Sequence, residues 1–277
     1  MSGSHFEQYD EKAYSYKVNR VPTGLAGIRS GLARCALPMK ELRLLDAGCG
    51  TGNYLQALSD DVRELVGVDA SKGMLASAES KNLPNVTVCQ STLQDLPLAS
   101  ASFDGAIINF VLHHLDDDAG CDSGFPAVKK ALAEIARVLK PGGLLVIQTS
   151  SHEQLLDGYW WAEVIPQGMK AYIRRYPTLN FLDEYLRELG FGDVERTPEL
   201  NEVLQGDDYF DPEGPLRKEY RDADSNWTVV PDGELEEALA TLESYRSENT
   251  LGDYVQRRDK LRQAIGQMTL LTTFKNK

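Results

Sequence analysis

Between about Pro22 and Thr197, short apolar runs alternate with longer segments in which apolar residues recur every three or four positions. The runs Leu42–Asp46, Leu65–Asp69, Val86–Cys89, Gly105–Asn109 and Leu144–Gln148 are brief and rich in Val, Ile and Leu. That is the composition of strands buried on both faces of a parallel sheet. Leu132, Ile135, Ala136 and Leu139 fall at i, i+3, i+4 and i+7, which predicts a helix over Ala127–Lys140 with one apolar stripe. Pro141-Gly142-Gly143 is expected to stop that helix and turn the chain into the next strand. A sixth strand is predicted at about Asp193–Thr197, and the β-branched run Met268–Phe274 suits a closing strand. Regular strand–helix alternation implies a parallel sheet covered by helices on both sides, a three-layer α/β domain.

The pattern changes after Thr197. Residues 198–266 carry polar, acidic and aromatic stretches (DDYFDPEGPLRKEYRDADSNW), then helical patterns at Glu234–Tyr245 and Tyr254–Ala264. This stretch shows no dense apolar core of its own. It reads as an insertion between the last two strands, with no internal repeat or low-complexity tract.

Composition narrows the function classes. Of 277 residues, 42% are hydrophobic and 26% charged, as in ordinary globular proteins, and no apolar run approaches a membrane span. The start MSGSHFEQYD lacks the basic and apolar regions of a signal peptide, and MSGSH resembles a cloning remnant. The net charge of −13 repels phosphate backbones, so nucleic acid is not an expected partner. Cys35, Cys49, Cys89 and Cys121 are scattered without C-x-x-C spacing, which suits a reducing compartment. A cytoplasmic location is the default expectation.

The candidate chemistry begins at LLDAGCGTGNY, residues 44–54. The first strand ends in Asp46 and is followed by Gly48, Gly50 and Gly52 at alternate positions, where open α/β sheets bind ligands. The second strand ends in Asp69, a carboxylate able to accept both hydroxyl hydrogens of an adenosine ribose. Dinucleotide loops read G-x-G-x-x-G, whereas here Asn53 occupies the third glycine position. An acid at position 46 also suits an ammonium better than a pyrophosphate. An NAD-dependent dehydrogenase on the same sheet is the rival reading, and a non-catalytic cofactor-binding scaffold is another.

The runs DAGCGTGNY, VGVDASKGML, DLPLASASFDGAIINFVLHHL and LKPGGLLVI together resemble the class I S-adenosylmethionine-dependent methyltransferases. The likeness is greatest to their small-molecule branch, near the ubiquinone-biosynthesis type. It implies a Rossmann-like seven-stranded sheet, mostly parallel with an antiparallel last strand. It also implies a lid and first helix over residues 1–40, a cofactor core over 41–197, a helical cap over 198–266 and a closing strand over 267–277. By resemblance, Gly48, Gly50, Gly52 and Asn53 wrap the methionine part of S-adenosylmethionine, with Asp46 beneath. Asp69 takes the ribose hydroxyls, Ala70, Ser71 and Met74 lie beside the adenine, and Thr92 and Leu93 supply its other edge. Many relatives carry an acid where Thr92 stands. Asn109 lines the methionine side, and Tyr16 and Arg20 belong to the lid.

Methyl transfer needs a nucleophile held in line with the S–CH3 bond, and a base only when the acceptor is protonated. His113 and His114 are the base candidates. Adjacent residues point in different directions, so at most one faces the pocket, and His113 is the first choice. Their adjacency lacks the one-turn spacing of a metal pair, so no metal is expected. Tyr9, Trp160, Tyr209 and Trp227 are candidates for contact with a small-molecule acceptor, because aromatic side chains build shaped pockets. The identity of the acceptor and the oligomeric state are not encoded in any motif.

Overall fold

A computed structural model describes residues 21–116 and 120–277. Seven strands form one sheet: β1 (Arg43–Ala47), β2 (Glu64–Asp69), β3 (Val86–Gln90), β4 (Phe103–Asn109), β5 (Leu139–Thr149), β6 (Glu195–Pro198) and β7 (Thr269–Phe274). Their order is β3-β2-β1-β4-β5-β7-β6. β7 is antiparallel to both β5 and β6, and the β1–β5 pairings are parallel. This is the mostly parallel Rossmann-like sheet with an antiparallel last strand that the sequence implies.

The helices are α1 (Leu25–Leu32), α2 (Asn53–Leu58), α3 (Lys72–Glu79), α4 (Gly120–Ser123), α5 (Pro126–Val138), α6 (His152–Asp157), α7 (Pro166–Ile173), α8 (Leu179–Glu188), α9 (Lys218–Asp222), α10 (Asp232–Ser247) and α11 (Leu251–Ile265). Period-two alternation sends Leu45, Ala47, Ala106, Ile108, Leu145 and Ile147 to one face of the sheet, against α5 and α8. Leu44, Ile107, Leu144 and Val146 face the other way, against α1, α2 and α3. Both faces are therefore apolar, which is why these strands read as nearly continuous hydrophobic runs.

One helix end differs from the predicted pattern. α5 stops at Val138, and Leu139 is already extended and pairs with Phe103 across the sheet. The Pro-Gly-Gly lies inside β5, where a register irregularity between Phe103 and Gly105 accommodates it. Leu139 continues the apolar period of the helix, yet a partner on β4 decides its conformation.

A third core lies away from the sheet. It is built from two stretches: residues 155–176, which follow β5, and residues 209–255. Trp160 donates its indole N–H to the Tyr209 carbonyl at 2.8 Å, and the Tyr254 hydroxyl donates to the Trp160 carbonyl at 3.1 Å. Glu234 on α10 accepts from the Gln167 and Gly168 amides at 2.6 and 2.8 Å, satisfying the start of α7. The helical cap expected over 198–266 thus packs around aromatic residues supplied from before β6. Gln154 and Gln267 tie this unit to the sheet through the carbonyls of Met268 and Gly158.

Candidate functional site

A cleft opens at the carboxyl ends of β1, β2 and β4 and is floored by the glycine loop. Gly48, Gly50 and Gly52 have φ of 83°, 52° and 77°. At Gly48 a Cβ would meet Val111 Cγ2 at 2.3 Å, so close packing excludes any side chain there. At Gly50 a Cβ would meet no protein atom within 4 Å: the missing side chain leaves space in the cleft itself.

Asp69 closes one end. Its Oδ2 accepts from the Gly50 amide at 2.8 Å and its Oδ1 from the Ser71 amide at 2.9 Å. The carboxylate is therefore held between the loop and the start of α3, where Ser71 accepts from the Met74 amide. Ala70, Ser71, Met74, Thr92 and Leu93 all line this end of the cleft, as does Asn53 at the first turn of α2. Ser91 and Gln94 join them.

Asp46 lies at the end of β1, 1% exposed, with neither carboxylate oxygen hydrogen-bonded. Burial, reinforced by the nearby charge of Asp69, pushes its carboxyl up to about 8. Asn109 also lines the cleft, and its side-chain oxygen and nitrogen are both buried without a partner. Four unpartnered polar atoms at one end of a sheet cost several kcal/mol unless a ligand completes them, at about 1–3 kcal/mol per group.

Gln148 pairs in register with Asn109 and extends this polar row onto β5. Its Oε1 accepts from the Tyr54 hydroxyl at 2.7 Å, and its Nε2 donates to Thr23 Oγ1 at 3.0 Å. Tyr54 in turn accepts from the Thr23 amide at 3.1 Å, so α2 and the segment before α1 are fastened together over the sheet. Tyr54 and Thr23 line the cleft and were not among the residues expected there. Gln148 had a visible signal, a single polar residue ending an apolar strand run. Tyr54 had none, since an aromatic residue one turn into a helix ordinarily reads as core.

The two histidine rings lie in contact, with centroids 3.8 Å apart, but only one of them lines the cleft. His114 lines the cleft, whereas His113 is 5% exposed and stacks on the Tyr176 ring, with centroids 4.2 Å apart. The side chain facing the cleft is thus not the first choice of the sequence reading, because a short helical turn over Leu112–His114 rotates His113 into the aromatic packing. Trp160, Tyr209 and Trp227 lie in the third core, at 0%, 0% and 5% exposure, and none lines the cleft. Large rings gain more by mutual burial than by lining an open surface. Leu204 is the residue through which the stretch after β6 reaches the cleft. Tyr9, Tyr16 and Arg20 fall outside the described residues.

Residues 45–147 match the family model described as a methyltransferase domain. This part of the chain is a methyltransferase domain, similar to the class I S-adenosylmethionine-dependent methyltransferases. Over 125 residues the chain is 38% identical to the uncharacterized methyltransferase YcgJ of Bacillus subtilis, covering 43% of this chain and 46% of that protein. Over 154 residues it is 30% identical to the ubiquinone/menaquinone biosynthesis C-methyltransferase UbiE of Campylobacter jejuni, covering 51% and 61%. The aligned part thus spans about half the length of these curated relatives. A solved structure from Anabaena variabilis, assigned as a methyltransferase of an antibiotic biosynthesis pathway, superposes with a TM-score of 0.70 at 21% identity. That superposition covers 92% of this chain and 98% of the other, and it shows that the fold is shared beyond the matched domain. S-adenosylmethionine is the cofactor that this domain implies, and the cleft fits it in chemistry: an open glycine cradle, a fixed carboxylate at Asp69 and orphaned polar atoms at Asn109, with the buried carboxyl of Asp46 just outside the lining.

Proposed function

We propose that the protein transfers the methyl group of S-adenosylmethionine to an uncharged, largely apolar small molecule. The observation that carries the donor half is the buried, unpartnered Asp46 beneath an open glycine cradle that is itself hydrogen-bonded to Asp69. Asp46 and Asn109 would serve the amino-acid part of the cofactor, Asp69 the ribose hydroxyls, and Met74, Thr92 and Leu93 the adenine. Bound there, the cofactor supplies an electrophilic methyl whose sulfur leaves as a thioether.

The acceptor half rests on the remaining lining. Val21, Pro22, Phe110, Val111, Leu115 and Leu204 are apolar, and no Lys or Arg lines the cleft among the described residues. Such walls exclude water and favour a neutral ring or chain over a phosphate or carboxylate. An acceptor hydroxyl would have to lose its proton, and His114 is placed to receive it. Phe110 holds φ +53°, a strained conformation for a bulky residue, immediately after Asn109. The strain supports a functional reading of that turn. Curated relatives named for C-methylation in ubiquinone and menaquinone biosynthesis are compatible with a ring acceptor.

The test is incubation with methyl-labelled S-adenosylmethionine and fractionated small-molecule extracts. Label is expected in an organic-extractable fraction together with S-adenosylhomocysteine. Binding of S-adenosylhomocysteine without transfer to any fraction would favour a scaffold. Thermal stabilisation by NADH alone would favour a dehydrogenase and overturn the reading.

A further inference from the structure

The site contains a carboxyl group whose ionised form burial disfavours strongly. Asp46 is covered on every side, accepts no hydrogen bond, and belongs to a strand packed between β2 and β4. Among the described residues its titratable neighbours offer no cation. Asp69, at the end of β2, carries a like charge, and Cys49 on the loop is a thiol that burial keeps neutral. Tyr54 on α2 is a phenol pushed up to about 12, and Glu202 of the stretch after β6 adds a further acid beyond it. His114 lines the cleft and does not figure among the charges acting on Asp46. Asp69 differs from Asp46 in accepting two backbone amides, which stabilise its ionised form.

We propose that the cofactor-free protein carries a proton on Asp46 and that seating the ammonium group of the cofactor or its product on the glycine loop expels it. Binding is then an exchange of one cation for another: the carboxyl O–H breaks, the proton goes to solvent, and the ammonium becomes the counter-charge of the new carboxylate. The net charge of the buried site stays constant across the exchange. Ligands that lack the amino group do not trigger it. Two consequences follow for this protein. Cofactor affinity rises with pH up to the point where Asp46 ionises unaided, then levels off. Discrimination against adenosine compounds without the amino-acid part is greatest above that point, where they leave a buried charge uncompensated.

This inference rests on the cleft being the S-adenosylmethionine site, and calorimetry separates the two. S-adenosylhomocysteine is titrated at fixed pH in two buffers of different ionisation enthalpy, so that the heat reports protons released. With the carboxyl at about 8, close to one proton is expected per bound molecule at pH 6, about 0.9 at pH 7 and about a quarter at pH 8.5. The dissociation constant is expected to fall nearly tenfold between pH 6 and pH 7 and to level off above about pH 8. 5′-Methylthioadenosine, which keeps the nucleoside and lacks the amino acid, is expected to bind without releasing a proton. Asp46→Asn is expected to bind S-adenosylhomocysteine with no proton release and a flat pH profile. Heats independent of buffer at pH 7 in the wild type overturn the inference, and this arm needs no variant. Equal proton release with 5′-methylthioadenosine overturns it too. Failure of both ligands to bind at any pH instead removes the reading of the cleft itself.

Discussion

Gly48 and Gly50 share a left-handed backbone, yet replacing them should have different consequences. A methyl group at Gly48 would enter Val111, so Gly48→Ala should lower the melting temperature by several degrees, as read by calorimetric scanning without ligand. At Gly50 the methyl group meets no protein atom, so Gly50→Ala should cost only about 1 kcal/mol of backbone strain while weakening S-adenosylhomocysteine binding tenfold or more. Asp69→Ala should also weaken that ligand at least tenfold, because a hydrogen bond to a charged group is worth about 1.5–3 kcal/mol. The two histidines make a matched pair. His114→Ala should lower turnover, and His113→Ala should lower the melting temperature more than His114→Ala does, because it removes the stack on Tyr176 as well as the contact between the two rings. Asp46 adds a pH signature to stability. Burial and the charge of Asp69 push its carboxyl up to about 8 in the folded protein from an ordinary value near 3.8, so the native state binds more protons between those values. Stability of the cofactor-free protein should therefore fall as pH rises from about 4 to about 8, by up to about 1.4 kcal/mol per unit from this group. Chemical denaturation of wild type and Asp46→Asn at pH 5 and pH 8 checks this: the variant should gain relative to the wild type at the higher pH.

Among the elements, α7 depends on a residue 66 positions away. Its first amides are held by Glu234, so Glu234→Ala should remove a cap and cost about 1 kcal/mol, read from the midpoint of urea unfolding. Trp160→Ala should cost about 3–5 kcal/mol, because the ring is fully buried and its N–H bridges to the Tyr209 carbonyl. Neither effect is visible in local pattern. The helical periods of α10 and α11 identify the elements, but whether Glu234 is a surface charge or a cap depends on where α7 lies. The end of α5 makes the same point: Leu139 satisfies the helical period and is taken by β4 as a strand partner.

For the molecule as a whole, topology joins the cap to the sheet. β7 lies between β5 and β6 and is reached only after the chain has passed through α10 and α11. The stretch between β6 and β7 is therefore anchored at both ends in adjacent strands at one side of the sheet. All three tryptophans, Trp160, Trp161 and Trp227, sit in the third core, so their fluorescence reports that unit alone, while far-ultraviolet circular dichroism reports the helices of the whole molecule, α10 and α11 among the longest. The two denaturation curves should coincide, and separated midpoints would show that the cap unfolds independently.

Alternation of short apolar runs with amphipathic segments determined the layered α/β core, because central parallel strands are buried on both faces and read as short apolar runs bounded by turns, although the edge strands β3 and β6 are partly or fully exposed. The glycine loop, Asp46 and Asp69 were legible for a related reason: backbone conformations open only to glycine, and acids at the ends of apolar strands, are local violations of pattern. Tertiary structure alone decided the rest. It chose His114 over His113 for the cleft, buried Trp160, Tyr209 and Trp227 in a core that no single stretch contains, and brought Tyr54 and Thr23 onto Gln148. Those outcomes depend on which surfaces meet across tens of residues, and packing between distant segments leaves no period in the chain.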